Sequence, residues 1–353
     1  MKVLVAPLNW GLGHASRCIP LIQRFLNEGH EVVLGGDGDS LTLLRKHFPK
    51  LRYVYLAPLN LRYSKGSRQV FAMLRAIPQL IAWSLKDHAI LRAVLHEEPF
   101  DMIVSDNRFG LFINEKMRNN RSNECEIRKC ENEKMTQAVY MTHQLHIMLP
   151  RGWRWLEPVA ERLHARIYRR FSEVWVPDFE DHEKSLSGEL GRPSPLRFAH
   201  LPFTVKYIGP LSRFEITKSR DHEITNHYDV VAVLSGLEPQ RTMLEKELVA
   251  RYADKKDQVL IVQGLPSLPN TRIKRGNITI VPYLSDDELV AALMGAQRII
   301  ARSGYSTIMD LHALGLLSVS ETVCQCNGPL VELIPTPGQP EQEYLAERFK
   351  GDK

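Results

Sequence analysis

The feature that most constrains this chain is a strand-to-glycine junction that occurs twice. Lys2-Val-Leu-Val-Ala-Pro7 runs into Gly11-Leu-Gly13-His14-Ala-Ser16, and Asp229-Val-Val-Ala-Val-Leu234 runs into Ser235-Gly236. A short, β-branched apolar run reads as a strand buried on both faces. Glycine directly after it lets backbone N–H groups approach an anion at the start of the next helix. Two such junctions imply two nucleotide-fold halves facing one cleft, and a phosphorylated ligand between them.

The rest of the pattern supports an α/β chain of two doubly wound, Rossmann-like domains. Strand-like runs at 2–7, 31–35, 52–56, 101–105 and 138–142 alternate with helix-like stretches at 15–28, 39–47, 68–95 and 155–170. A second series follows, with strands at 229–234, 258–262, 278–281 and 298–301 and helices at 239–253, 286–294 and 305–314. At 353 residues the chain is long for one core. Pro193, Pro195, Pro202 and Pro210 mark the crossover, so the boundary is placed to give domains 1–206 and 207–353.

Charge and cysteine use exclude several classes. The net charge of +5 is too small and dispersed to argue for nucleic acid, although 151–170 holds six arginines against two glutamates. No uninterrupted run of about 18 apolar residues reads as a membrane span. The first residues form a strand and lack an apolar leader, so no secretory signal is expected. Five cysteines form no disulfide framework, and a reducing cytoplasm is the expected compartment. Cys125, Cys130, Cys324 and Cys326 could be imagined as zinc ligands, but their spacings fit no common zinc site, and no metal is expected. The stretch 119–134, half of it charged and without aromatics, reads as a mobile surface loop.

In the first glycine turn the distinguishing residue is His14, placed where a helix N-terminus disfavours the imidazolium form. A neutral imidazole there is a candidate general base; the other reading is a helix cap. Asp37 stands where a dinucleotide fold would put a ribose-binding carboxylate. Asp106 and His143-Gln144 follow strands whose C-terminal ends point into the cleft, and either Asp106 or His143 could orient His14 or act as the base. On the second half, Ser303-Gly304 lies between a strand and a helix, so its amides with the Ser306 and Thr307 hydroxyls can receive a diphosphate. Asp310 is within reach of ribose hydroxyls, or it closes a capping box with Thr307.

Asn9-Trp-Gly-Leu-Gly-His-Ala-Ser-Arg17, Ile300-Ala-Arg-Ser-Gly-Tyr-Ser-Thr-Ile-Met-Asp-Leu311 and Ile334-Pro-Thr-Pro-Gly-Gln-Pro-Glu-Gln-Glu-Tyr-Leu-Ala346 resemble the signatures of GT-B glycosyltransferases related to the N-acetylglucosaminyl transferase that acts on lipid-linked muramyl-peptide. The resemblance implies an inverting, metal-independent transfer from a nucleotide-diphosphate sugar, a UDP-GlcNAc-like one, to a glycan or lipid-linked hydroxyl. No cofactor is implied, since the nucleotide sugar is a substrate. It further implies donor contacts from Ser235, Gly236, Arg241, Leu284, Arg302, Ser303, Gly304, Ser306, Thr307, Asp310, Gln339, Gln342 and Glu343, with Gly11 and Gly13 in the acceptor loop. The chain departs from that pattern in extra sequence at 317–329 and in the little chain left for a closing C-terminal helix, so weak domain closure is expected. Apolar 70–83 and the Trp-and-Arg-rich 151–170 allow peripheral membrane contact. A UDP-sugar epimerase and a non-catalytic nucleotide-sugar-binding module remain rival readings.

Overall fold

The structure, a computed structural model, describes residues 1–59, 69–114, 117, 136–193, 203–215, 228–236, 238–319 and 328–350. The stretch 119–134 and Cys125, Cys130, Cys324 and Cys326 lie outside these. Among the described residues no group of three His, Cys, Asp or Glu side chains could hold a metal ion.

The first half runs β1 (Lys2–Pro7), α1 (Gly13–Asn27), β2 (Glu31–Gly36), α2 (Gly38–His47), β3 (Tyr53–Tyr55), α3 (Gln69–Glu97), β4 (Met102–Asp106), β5 (Gln137–Met141), α4 (Glu157–Tyr168), β6 (Glu173–Val176) and β7 (Thr204–Tyr207). Its seven strands form one parallel sheet in the order β3-β2-β1-β4-β5-β6-β7. Val3, Val5, Ile103, Val104 and Val139 are buried on this sheet, as apolar runs covered by helices on both faces must be. Chain order reverses between β2-β1 and β4, which opens a crevice at the C-terminal ends of β1 and β4.

The second half runs β8 (Val230–Val233), α5 (Gln240–Tyr252), β9 (Val259–Val262), β10 (Ile273–Arg275), β11 (Ile278–Val281), α6 (Asp286–Gly295), β12 (Arg298–Arg302), α7 (Tyr305–Ala313), β13 (Leu330–Ile334) and α8 (Pro340–Arg348). The six-stranded sheet has the order β10-β11-β9-β8-β12-β13, parallel except for β10. A capping box between Ser285 and Glu288 starts α6.

The halves meet along α1 and α7. Ala15, Cys18, Ile19 and Ile22 of α1 share one buried apolar core with Tyr305, Ile308 and Met309 of α7 and Leu345 of α8. Glycine permits the approach at the helix starts. A Cβ on Gly13 would stand 2.8 Å from the Ser306 hydroxyl, and one on Gly11, whose φ is +73°, would stand 3.2 Å from the Gly236 nitrogen.

The weak closure expected from the sequence is not what the structure shows. Helix α8 itself reaches the first half: the Tyr344 hydroxyl accepts from the Glu189 N–H at 3.0 Å, and Arg348 donates to the Ser185 carbonyl at 2.7 Å. Strand β13 forms after the extra sequence and pairs in parallel with β12.

Candidate active site

Strand register brings together the residues expected on the acceptor side. Pro7 pairs with Asp106 across β1 and β4, and Asp106 pairs with Met141 across β4 and β5. The turn carrying His14, the Asp106 side chain and the stretch reaching His143 therefore leave the sheet side by side. His14 Nδ1 is 3.0 Å from Asp106 Oδ1. Leu12, the residue before α1, makes no side-chain cap, so His14 is turned to the carboxylate rather than capping its helix.

Arg17, one turn further along α1 and 1% exposed, completes the cluster. Its Nε donates to Asp106 Oδ2 at 2.7 Å and its Nη2 donates to Oδ1. This bidentate fork locks the carboxylate in one orientation. Burial would raise the Asp106 pKa, but Arg17 and then His14 more than offset it and hold the carboxyl well below its usual range. Burial lowers the His14 pKa below 6.5, and the Asp106 charge offsets this only in part. Nη2 of Arg17 is also 3.0 Å from His14 Nδ1, but its proton is directed at Asp106. We assign the imidazole proton to Nδ1, where it meets a carboxylate, which leaves the Nε2 lone pair for an incoming proton.

A second histidine carries the network across the cleft. Arg17 Nη1 donates to His143 Nδ1 at 3.1 Å, and since a guanidinium only donates, that nitrogen accepts. Its Nε2–H then donates to Glu341 Oε1 at 2.6 Å, and Gln144 Nε2 donates to Glu341 Oε2 at 2.7 Å. The His143 ring stacks on Tyr305 with centroids 4.4 Å apart, and the Tyr305 hydroxyl donates to the Pro177 carbonyl at 2.8 Å. His14, Asp106 and the start of α7 are thus linked in one continuous set of contacts.

Opposite them lies the start of α7. Gly304 is its N-cap and makes no side-chain cap, and a Cβ there would meet nothing within 4 Å. The first-turn N–H groups of any helix lack intrahelical partners and carry a positive end charge. The Ser306 hydroxyl donates across the cleft to the Gly13 carbonyl at 2.9 Å, so this helix start faces the His14 turn. Asp310 is not part of a capping box. Its Oδ1 accepts from the Ser212 hydroxyl at 2.6 Å, and Arg213 Nε lies 3.8 Å from Oδ2. Burial raises its pKa to about 6 against the pull of Arg213 and Ser212.

No protein-family model matches the chain. By sequence it is similar to an uncharacterized glycosyltransferase of Methanosarcina acetivorans, 22% identical over 320 residues that cover 90% of this chain and 78% of the relative. By structure it is similar to the spinosyn rhamnosyltransferase SpnG, with a TM-score of 0.53 and 14% identity over 98% of this chain and 84% of that one. It is also similar to Arabidopsis thaliana UGT89C1 complexed with UDP-L-rhamnose, with a TM-score of 0.52 and 13% identity over 99% of this chain and 90% of that one. The chain has the GT-B fold, and these relatives by sequence and by structure are glycosyltransferases.

The residues expected at the donor fall into two groups. Ser235, Gly236, Gly304, Ser306 and Thr307 lie at the strand ends and the α7 start, where backbone is presented to the cleft. The others are held by their own domain. The Ser303 hydroxyl donates to the Gln342 carbonyl at 2.7 Å, and Gln342 Oε1 accepts from the Thr336 N–H at 2.8 Å. Glu343 accepts from the Gly338 N–H, and Gln339 is the N-cap of α8. Leu284 is buried in the core of the second sheet. Arg241 pairs with Glu238 and lies 3.4 Å from Glu245. Arg302 is corrected to a brace: 4% exposed, it donates to the Pro335 and Gln240 carbonyls at 3.0 Å each. Asp37 is likewise spent, paired with the buried Arg108, which also binds Asp87 at 2.8 Å; this removes the ribose role considered for it.

Sequence reasoning missed Arg17 and Glu341. For Arg17 a signal existed, since it sits three residues from His14 and so shares its helix face. Glu341 carried none, because its partners are nearly two hundred positions away.

Proposed function

We propose that this glycosyltransferase moves a sugar from a nucleotide-diphosphate donor, a UDP-GlcNAc-like one, to an acceptor hydroxyl with inversion and without a metal. Residues 1–206 serve as the acceptor-side unit and 207–353 as the donor-side unit. The observation that carries this reading is the His14–Asp106 pair facing the start of α7. His14 Nε2 takes the proton of the acceptor hydroxyl as its oxygen attacks the anomeric carbon, and Asp106 stabilises the imidazolium that forms. The bond to the diphosphate breaks on the opposite face, and its negative charge develops against the amides of Gly304, Tyr305 and Ser306.

Two of the structural relatives support the donor class: SpnG complexed with thymidine diphosphate and UGT89C1 complexed with UDP-L-rhamnose. The donor set also supports metal independence. Of the Asp37-Gly38-Asp39 pair, Asp37 is held by Arg108 and Asp39 accepts from Ser267. A helix start supplies the positive potential instead.

The test is release of the nucleoside diphosphate from a panel of nucleotide sugars, with and without soluble and lipid-linked acceptors, in the presence of a chelator. Release that depends on acceptor, survives the chelator and fails in His14→Ala is the expected result. Interconversion of the sugar without acceptor would establish the epimerase instead. Donor binding with no turnover on any acceptor would establish a binding module.

A further inference from the structure

Among the described residues, Asn107 is the one non-glycine residue with a left-handed backbone, its φ being +57°. Asparagine tolerates that region better than most residues, yet a conformation of this kind persists only where its surroundings enforce it. Here they do. The residues on either side, Asp106 and Arg108, are fully buried. Asp106 is held by Arg17, while Arg108 donates to the Pro7 carbonyl at 3.0 Å and binds Asp87. The Ser105 hydroxyl donates to the Arg108 carbonyl at 2.5 Å, and the Asn107 N–H donates to the Met141 carbonyl at 3.3 Å. The turn lifts Asn107 out at the C-terminal ends of β4 and β5, half-buried between two buried neighbours.

The side chain is oriented as firmly as the backbone. Its Oδ1 accepts from the Tyr140 hydroxyl at 2.9 Å. Tyr140 is 1% exposed, and burial pushes its pKa well above 10, so the hydroxyl stays a donor. With Oδ1 turned inward, Nδ2 points away from the core, and among the described residues it has no partner. The other polar groups around His14 are committed. Asp106 is taken by Arg17 and His14, Arg17 by Asp106 and His143, and His143 by Arg17 and Glu341. Gln144 gives an Nε2–H to Glu341 and turns its oxygen, which can only accept, to other partners. Beside His14, the N–H left to meet a ligand is therefore that of Asn107.

We propose that Asn107 Nδ2 donates to a second oxygen of the acceptor, next to the hydroxyl that His14 deprotonates, and so selects acceptors with neighbouring oxygens, as a sugar ring has. This rests on the transfer reading above. Asn107 follows Asp106 directly, with Cα atoms about 3.8 Å apart, and His14 lies against the Asp106 carboxylate. The amide and the imidazole therefore bound the same end of the crevice. A hydroxyl held by His14 alone is free to swing about its hydrogen bond. A second bond, to the neighbouring oxygen, fixes the direction from which the first attacks the anomeric carbon. A lone alcohol or a phenol leaves Nδ2 without that partner and is held less well.

The test uses the full chain with the nucleotide sugar that gives release in the assay above, and compares methyl hexopyranosides, their monodeoxy analogues, cyclohexanol and phenol as acceptors. Wild type should use a glycoside and lose about tenfold to a hundredfold in kcat/KM on the analogue lacking one neighbouring hydroxyl. Asn107→Gly keeps a backbone that glycine adopts freely and removes the amide, whereas Asn107→Asp keeps the bond from Tyr140 but has no N–H. Both should raise KM for the glycoside about tenfold and erase the difference between it and the deoxy analogue. The donor-induced rise in melting temperature should be unchanged. A merely structural role would instead lower melting temperature and kcat in both variants and leave that difference intact. The proposal is overturned if the difference persists in Asn107→Gly, or if no deoxy analogue is slower. It is also overturned if cyclohexanol or phenol serves as well as the glycosides, or if wild type turns over other acceptors but no methyl glycoside. Wild type that releases no nucleoside diphosphate with any acceptor would refute the transfer reading itself, and this proposal with it.

Discussion

The proposed acceptor side and the proposed donor side of the cleft are built from different material. On the acceptor side, side chains converge: Arg17 contacts His14, Asp106 and His143, and His14 contacts Asp106, with Asp106 and Arg17 almost wholly buried. On the donor side, the side chains mostly face their own domain, and what is turned to the cleft is backbone at Gly236, Gly304 and the α7 start. The contrast teaches where substitutions act. Chemistry depends on identities that a single replacement destroys, whereas recognition of charge depends on N–H groups that no side-chain replacement removes.

The comparison breaks most violently at Arg17. Arg17→Met leaves Asp106 buried without its fork, and about 3–5 kcal/mol of stability should be lost, measurable by urea denaturation. A loss below about 1 kcal/mol would mean that the acceptor cluster is not the rigid half.

His14→Ala should lower kcat/KM by about 10²–10⁴-fold and leave donor affinity unchanged. Because burial holds the His14 pKa below 6.5, activity should fall with decreasing pH only below that value. The linkage runs the same way. In that window the unfolded chain binds more protons at this site than the folded one, so its contribution to stability grows as pH rises. A pH–rate profile with its acid limb at or above 6.5 would remove His14 from the role of base.

Asp310→Asn should weaken donor binding about tenfold to a hundredfold, read by the donor-induced rise in melting temperature. Its pKa of about 6 gives the opposite sign for stability: the folded state binds more protons between the unfolded value of 3.8 and about 6, so stability falls as pH rises through that range. Donor affinity should rise over the same range, since ribose hydroxyls donate to the carboxylate. If Asp310→Asn matches wild type in both, the donor half is entirely backbone.

The smallest effect is expected at Glu341. Glu341→Gln keeps a partner for Gln144 but removes the charge facing His143, costing about 1–2 kcal/mol of lobe contact. Solution scattering should show a more open mean shape, and KM for donor should rise by less than about tenfold. A shape and KM like those of wild type would show that the apolar seam alone holds the halves together.

How much of this was legible follows from range. Strands β1, β4 and β5 are continuous apolar runs, and their ends identified His14, Asp106 and His143. Strands β6, β7 and β13 read Glu-Val-Trp-Val, Thr-Val-Lys-Tyr and Leu-Val-Glu-Leu-Ile, short mixed runs whose strand character comes from pairing partners far along the chain. Arg302 was expected as a donor contact only from the resemblance. Its brace to Pro335 and Gln240 depends on two loops that no local pattern relates. Glu341 was invisible for the same reason.

The shared seam of α1 with α7 and α8 carries one more consequence. Core packing of this kind tolerates sliding by small steps more readily than separation, so rearrangement between the halves should take the form of shear, with helices α1 and α7 staying in touch throughout. Heat should therefore melt both sheets together rather than peel one away while the other survives.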